Sequence, residues 1–320
     1  MRSLFISNSS MNAKYKILVS ILLTAALAIT FRLVVGKPVE NKAEREAFWA
    51  SKSYDNNQYN ILFLGDSRVY RSLNPEVIER KIPTVKVKNL GYSALGFDSA
   101  YMRFASSQMT VDEPVKIYVI GLSPRSISTS AIGNESFVEW TTKSGFDVWK
   151  IRDMAGLNEF FCPYTPQELY DRFIKKELNQ NFGYQDLNKN GFVGSIQVPF
   201  TIQEGLETYE RELSSASINS NAVQDILDFV QSCTRQNIHV IFFRPPSMKE
   251  MEKIENSIQG YNEEELAVKL IQSGAIRWQP SSVCASYDAS HIDFISADIL
   301  SHELALFLQL KFPSIRQSNK

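Results

Sequence analysis

A serine that directly follows a short apolar segment is the first residue of the chain whose position suggests chemistry. Residues 60–64 are almost all apolar and predict a buried strand, which runs into Gly65-Asp66-Ser67 before a helical pattern begins. A serine at this corner would project from the carboxyl edge of a sheet, beside backbone N–H groups that lack helical partners. The same aspartate and serine could instead only cap the helix, because both are common capping residues.

A histidine near the C-terminus could act as the base that a serine nucleophile requires. His291 precedes the last helical pattern, residues 296–310, and Asp288 lies three positions before it. An imidazole takes up a proton near neutral pH, and a carboxylate on the same turn can fix its tautomer. The two other histidines have weaker cases, since His239 begins a predicted strand and His302 falls among exposed positions of a helix.

Four short blocks of the sequence resemble those of the SGNH (GDSL-like) hydrolase superfamily. Gly65-Asp66-Ser67 is similar to the first block, Asn89-Leu-Gly91-Tyr-Ser93 to the second, and Asp288-Ala-Ser-His291 to the last. The third block of the family reads Gly-x-Asn, whereas this chain has Gly121-Leu-Ser123. The order of the blocks and their places at predicted strand ends make the set more specific than any one of them.

The resemblance implies a role for each of these residues. Ser67 would be the nucleophile, His291 the general base, and Asp288 the residue that orients the imidazole. An oxyanion hole would consist of the N–H groups of Ser67 and Gly91, with Ser123 in the position of the usual asparagine. The departure at Ser123 leaves one donor weak or missing.

Two arginines lie beside the motif residues. Arg68 and Arg125 could bind an anionic substrate, and surface salt bridges are the alternative for both side chains. Many aromatic residues follow in segment 124–217. They could stack on sugar rings, or they could form a small core of their own.

The fold class follows from the alternation of strand-like and helical patterns. Residues 60–64, 84–90, 115–120 and 239–243 predict strands, with helical patterns between them. We therefore predict an α/β, three-layer fold with a parallel sheet of about four to five strands flanked by helices, which the resemblance identifies as flavodoxin-like. In such a sheet, Ser67 and the ends of the next two strands share one edge, although they are far apart in sequence.

The N-terminal segment is apolar and divides the chain into parts. Residues 17–31 carry no charge and follow two lysines, which predicts a transmembrane helix or a cleaved signal peptide within residues 1–36. A linker, 37–58, and a domain, 59–320, would follow, with an inserted cap at about 124–217. The globular domain would be extracytoplasmic, either periplasmic or at the cell surface on a single-pass anchor, or secreted after cleavage.

Composition excludes some functions. The 320 residues have a net charge of −1, so no broad electrostatic attraction to nucleic acid is expected. Cys162, Cys233 and Cys284 are widely spaced, so neither a zinc site nor another cofactor is predicted, while one disulfide or three buried thiols both fit. Residues 186–191 match only the first half of a calcium loop, because Gln197 stands at position twelve, and we interpret them as a polar turn.

The resemblance also suggests a substrate class. Membrane-anchored members of the superfamily include proteins that modify exported polysaccharides, which implies ester hydrolysis or O-acyl transfer on a cell-surface polysaccharide or another acyl ester. A multispanning membrane acyltransferase would be the expected partner by the same analogy. The second hypothesis is an inactive, membrane-anchored glycan-binding or assembly factor with the same fold, and the altered third block is its best support.

Overall fold

The centre of the fold is a five-stranded parallel sheet. The structure is a computed structural model that describes residues 13–35, 42–54, 58–110, 113–131, 133–161, 185–195 and 201–316. The seven strands of the described chain are β1 (Ile61–Leu64), β2 (Val87–Asn89), β3 (Ile117–Gly121), β4 (Gln185–Leu187), β5 (Val193–Ser195), β6 (His239–Phe243) and β7 (Ile276–Arg277). The large sheet has the order β2-β1-β3-β6-β7, with every pair parallel, and β4 and β5 form a separate antiparallel hairpin.

Helices cover both faces of this sheet. The described helices are α1 (Ala13–Val35), α2 (Lys42–Ser53), α3 (Ser67–Ser72), α4 (Pro75–Lys81), α5 (Ser99–Ser107), α6 (Glu135–Thr141), α7 (Gly145–Phe161), α8 (Ile202–Leu213), α9 (Ser220–Arg235), α10 (Lys249–Asn256), α11 (Glu263–Gln272) and α12 (Phe294–Lys311). The predicted α/β class with a parallel sheet of four to five strands is confirmed. The strand order is flavodoxin-like, and its switch point lies between β1 and β3.

Apolar residues on both faces of the strands explain the layered core. All four residues of β1 are buried: Leu62 and Leu64 join one hydrophobic cluster, while Ile61 and Phe63 join the cluster on the other face. Successive side chains of a strand point to opposite faces, so a strand covered by helices on both sides needs an unbroken apolar sequence. This is why β1 and β3 were visible as apolar runs in the sequence.

Some predicted elements differ from the observed ones. The helical pattern behind Ser67 is two helices, because Asn74 caps a new helix whose first residue is Pro75. The edge strand β7 has only two residues, which is too short to form a pattern in the sequence. Residues 186–191 lie in the β4–β5 hairpin, where the N–H of Asn190 donates to Oδ1 of Asn188 at 2.8 Å.

The segment predicted as a cap contributes to the main core where it is described. Phe137 and Trp140 of α6 belong to the largest hydrophobic cluster, whereas Phe146 and Trp149 of α7 are exposed. The interpretation of the aromatic residues as core therefore holds for the α6 pair. The sequence of this segment also predicts a helix at about 166–178, but that range and Cys162 lie outside the described residues. Cys233 and Cys284 are free thiols.

The segment predicted as a linker packs against the domain through α2. Lys52 is buried, and its Nζ donates to the carbonyl of Gly191 at 2.9 Å. Four aromatic rings have their centroids 5.0 to 5.6 Å from this nitrogen: Phe48, Trp49, Tyr70 and Tyr92. Burial lowers the pKa of Lys52, and the nearby Lys88 lowers it further.

The N-terminal helix α1 contains 23 residues. Within the described ranges, no helix combines the length and the apolar character needed to cross a membrane. The predicted N-terminal transmembrane helix is therefore not confirmed.

Two glycines let α3 approach the ends of the central strands. Gly65 follows β1 with φ +150°, and Gly121 ends β3. A Cβ atom at either position would lie well inside van der Waals contact with Cγ2 of Val69, the third residue of α3. The first turn of α3, which begins at Ser67, is thus held directly against the sheet.

We expect Gly121→Ala to destabilise the protein by about 1–3 kcal/mol, because the added methyl group meets the buried Val69 side chain. Val69→Ala makes room, so the double variant should lose about 1 kcal/mol less than the sum of the single variants. Urea unfolding of the four proteins measures this coupling. Gly145→Ala is the control, since no atom lies within 4 Å of a Cβ at that position. Strictly additive losses would contradict the packing described.

Candidate active site

The serine corner is built by a helix cap. Ser67 is the first residue of α3, and Asp66 is its N-cap, with Oδ1 accepting the N–H of Arg68 at 3.0 Å. Oδ2 of Asp66 accepts the hydroxyl of Ser123 at 2.7 Å, which ties the end of β1 to the end of β3. The capping interpretation therefore applies to Asp66. The Ser67 side chain remains available for another partner.

The histidine loop is shaped by a second carboxylate. Oδ1 of Asp288 accepts the N–H groups of Ser290, at 3.0 Å, and His291, at 2.6 Å. Ala289 between them has φ +71°, a left-handed conformation that a residue with a Cβ rarely adopts. Its carbonyl accepts the N–H of Met248 at 2.9 Å, so the loop is anchored to the segment that leads into α10. Strained backbone of this kind is often found at functional sites.

The two segments meet in one chain of hydrogen bonds. Oγ of Ser67 lies 2.8 Å from Nε2 of His291, and Nδ1 of the same ring lies 2.7 Å from Oδ2 of Asp288. With its proton on Nδ1, the imidazole donates to the carboxylate and accepts from the serine hydroxyl. The structure therefore brings together the three side chains that the sequence singled out, in the geometry of a nucleophile, a base and an orienting group.

The charges around the ring favour the neutral imidazole. Burial lowers the pKa of His291, as do the nearby guanidinium groups of Arg71 and Arg68, while Asp288 acts in the opposite direction. Burial alone would raise the pKa of Asp288, but the hydrogen bonds from His291 and from the loop backbone outweigh it and hold that pKa below its usual value. An ionised carboxylate beside a neutral imidazole is the state that can accept a proton from Ser67.

Two of the three predicted oxyanion donors are directed elsewhere. The N–H of Gly91 donates to Oδ1 of Asn89 at 3.0 Å, and the hydroxyl of Ser123 is buried and donates to Asp66. Nδ2 of Asn89 donates to the carbonyls of Val69 and of Leu73, the residue after α3, which fixes the orientation of the amide and so of its oxygen. The N–H of Ser67, as the first in its helix, has no helical acceptor.

The arginines predicted to bind substrate are paired with carboxylates instead. Arg68 is 2% exposed, and its Nη2 lies 2.8 Å from Oε1 of the fully buried Glu255 on α10. Nε of Arg68 donates to Oγ of Ser290, in the histidine loop, at 2.9 Å. Arg125 pairs with Glu212 of α8 at 2.5 Å and is 12% exposed. A buried guanidinium needs such a counter-charge, so both arginines serve as internal ties rather than substrate ligands.

A third arginine near the serine was missed by the sequence analysis. Arg71 lies four residues after Ser67, which places both on one face of α3, and helical spacing is the signal that could have revealed it. Its Nη1 donates to the hydroxyl of Tyr287 at 2.5 Å. The Tyr287 ring stacks on His291 at 6.1 Å between ring centroids, so both residues belong to the site.

The fold and site together define an α/β protein with a Ser-His-Asp hydrogen-bond chain at the carboxyl edge of a parallel sheet. No protein-family model and no curated protein sequence matches the chain.

Among solved structures, a protein from Streptococcus pneumonia provisionally described as a platelet activating factor is similar with 11% identity and a TM-score of 0.38, covering 83% of this chain and 92% of that one. An acetyl xylan esterase, Est2A, from the rumen bacterium Butyrivibrio proteoclasticus has 9% identity and a TM-score of 0.34, covering 81% of this chain and 65% of that one. Likenesses at this level carry no argument about function, which depends here on the site itself.

We expect His291 to titrate with a midpoint below the ordinary histidine value of about 6.5. Removing a neighbouring cation in Arg71→Gln should raise this midpoint, and removing the anion in Asp288→Asn should lower it. NMR titration of the imidazole protons suits this chain, which has three histidines, and His291→Gln assigns the signal. A midpoint above 6.5, or a downward shift in Arg71→Gln, would contradict the electrostatics described.

We expect Glu255→Gln to destabilise the protein by about 3–5 kcal/mol, because it leaves the buried Arg68 without its counter-charge. Urea unfolding measures the loss. Glu76→Gln is the matched control, since Glu76 and Arg80 form an exposed pair at 3.9 Å whose removal should not change stability measurably. Equal stability of the two variants would show that the buried pair is not needed to hold α3 against α10.

Proposed function

We propose that the protein is a serine esterase or O-acyltransferase that acts on ester bonds, with Ser67 as nucleophile, His291 as general base and Asp288 as the orienting residue. The observation that carries the proposal is the unbroken hydrogen-bond chain from Oγ of Ser67 through the imidazole to the Asp288 carboxylate. A chain of this geometry lowers the cost of removing the serine proton as the oxygen attacks.

The mechanism follows from these contacts. Oγ of Ser67 attacks the ester carbonyl while its proton passes to Nε2 of His291, and the imidazolium is stabilised by Asp288. The tetrahedral oxyanion faces the N–H of Ser67. Its collapse breaks the bond to the alcohol, which leaves with the proton from Nε2 and a covalent acyl-Ser67 remains. Water or an acceptor hydroxyl then attacks this acyl group, with His291 again taking and returning the proton.

Two of the three predicted oxyanion donors are already hydrogen-bonded within the protein, and this affects the turnover rate that we expect. The N–H of Gly91 and the hydroxyl of Ser123 already donate within the protein, and losing one oxyanion donor typically costs about 10²–10³ in kcat. We therefore expect slow turnover unless the substrate draws the Gly91 N–H away from Asn89. The same observation favours the second candidate, an inactive glycan-binding or assembly factor with this fold.

The finer assignments are part of the proposal. The uncharged segment 17–31 supports a membrane anchor or a signal peptide and an extracytoplasmic domain. The exposed Phe146 and Trp149 support a surface on which sugar rings could stack, and hence a cell-surface glycan as the ester. We also propose transfer to a sugar hydroxyl, with a membrane acyltransferase supplying the acyl group. The support for this is the resemblance to polysaccharide-modifying proteins.

A fluorophosphonate probe tests the nucleophile directly. We expect the full-length protein to be labelled at Ser67, since an activated serine oxygen attacks the phosphorus, and mass spectrometry of the digested protein locates the label. Labelling should be absent in Ser67→Ala and at least about 100-fold slower in His291→Gln, because general-base help contributes about 10²–10⁴.

Ser107→Ala is the matched control, because Ser107 is an exposed serine at the end of α5. It should leave the rate of labelling unchanged. A folded wild-type protein that is not labelled would contradict the enzyme proposal and favour the glycan-binding candidate. Supplying an acetyl ester with and without a soluble oligosaccharide then separates hydrolysis from transfer by the product that forms.

A further inference from the structure

The guanidinium of Arg71 is the cation of the site that has no carboxylate partner in the described part of the chain. Four other arginines there with mostly buried side chains do pair with carboxylates: Arg68 and Arg244 with Glu255, Arg125 with Glu212, and Arg277 with Glu263 and Glu264. Arg71 instead donates from Nη1 to two neutral hydroxyls, Tyr287 at 2.5 Å and Ser195 at 3.1 Å. The Tyr70 ring, 5.5 Å from Cζ of Arg71, adds a cation–π contact, so the charge is oriented there without a carboxylate partner.

The position of Arg71 links this charge to the reacting atoms. Residues four apart on a helix lie on the same face with their Cβ atoms about 5–6 Å apart, so Arg71 adjoins Ser67 on the face that meets His291. Tyr287, which accepts from Arg71, also stacks on the His291 ring. The arginine side chain is half-buried, and its Nε is enclosed and has no hydrogen-bond partner within the described residues.

A half-buried cation without a counter-ion is costly, and the cost falls when an anion arrives. A guanidinium presents planar N–H donors that match a carboxylate, and the two hydroxyl contacts of Arg71 both use Nη1. Arg68 cannot serve in this way, because Glu255 already compensates it.

We propose that Arg71 binds a carboxylate carried by the substrate close to the scissile ester, so that the protein selects acidic esters over neutral ones. The inference rests on the proposed function, since it assigns the substrate class of the Ser67 site. The carboxylate can belong to the alcohol part, as in the acetyl ester of an acidic sugar, or to the acyl part, as in a succinyl ester. The chemistry of recognition is the same in both cases, and the test separates them.

Three esters form the test: phenyl acetate, which is neutral, 4-acetoxybenzoate, with the carboxylate in the alcohol part, and monophenyl succinate, with the carboxylate in the acyl part. We expect one of the acidic esters to be preferred, and its kcat/KM to fall by about 10- to 100-fold in Arg71→Gln, as for loss of a charge-assisted hydrogen bond. With phenyl acetate, measured at a pH well above the His291 midpoint, kcat/KM should fall clearly less, so the ratio of acidic to neutral ester is the readout. Arg71→Lys should restore part of the preference, because it keeps the charge but not the planar fork.

The matched control is Arg80→Gln, which removes an exposed arginine of α4 and should leave all three esters unchanged. An unchanged ratio between acidic and neutral esters in Arg71→Gln would overturn the inference while the proposed function stands. Equal losses on all three esters would also overturn it, because they would mean that Arg71 acts only by holding Tyr287 in place.

A binding measurement tests carboxylate binding by Arg71 independently of ester hydrolysis at Ser67. Calorimetry with Ser67→Ala and 4-acetoxybenzoate or monophenyl succinate should show binding that is lost when Arg71→Gln is added. If the wild-type protein neither hydrolyses an ester nor labels at Ser67, the proposed function fails, and Arg71-dependent binding then still supports the carboxylate site. No binding to Ser67→Ala, or binding that survives Arg71→Gln, would overturn the inference.

Discussion

The buried charge of Arg68 is the constraint on which the geometry of the site depends. Its guanidinium requires a counter-charge, which Glu255 on α10 supplies at 2.8 Å, and its Nε donates a hydrogen bond to Ser290 in the histidine loop. Because Arg68 directly follows Ser67, satisfying this one side chain also sets where the loop stands relative to the serine. Glu255 in turn pairs with Arg244 at the end of β6, which extends the tie to the sheet.

The same electrostatic logic separates two kinds of arginine around the serine. Arg68 and Arg125 are compensated inside the protein and hold elements together, whereas Arg71 contacts two hydroxyls and the Tyr70 ring but no carboxylate in the described chain. Its positive charge also lowers the pKa of His291, next to the larger effect of burial, and so keeps the base neutral. One uncompensated cation can therefore serve both the readiness of the base and the choice of substrate.

Much of the sheet could be predicted because strands covered on both faces need apolar residues, and β1, β3 and the last four residues of β6 are apolar. The two-residue strand β7 could not, since its pairing depends on its neighbour rather than on its own sequence. At the site, motif blocks pointed to Ser67, His291 and Asp288, which the structure brings together. The same blocks pointed to Gly91 as an oxyanion donor, but motif spacing does not show that Asn89 accepts its N–H.

By itself, the sequence determined the parallel α/β sheet and the residue types that could form a nucleophile and a base, because periodicity and short motifs are local properties. Tertiary structure alone decided which charges are compensated. Residues 68 and 255, or 125 and 212, become partners only when the folded backbone places them within a few ångströms, and sequence distance contains no record of that approach. For the same reason, it took the folded structure to show that Arg71 is an arginine of the site without a carboxylate partner among the described residues.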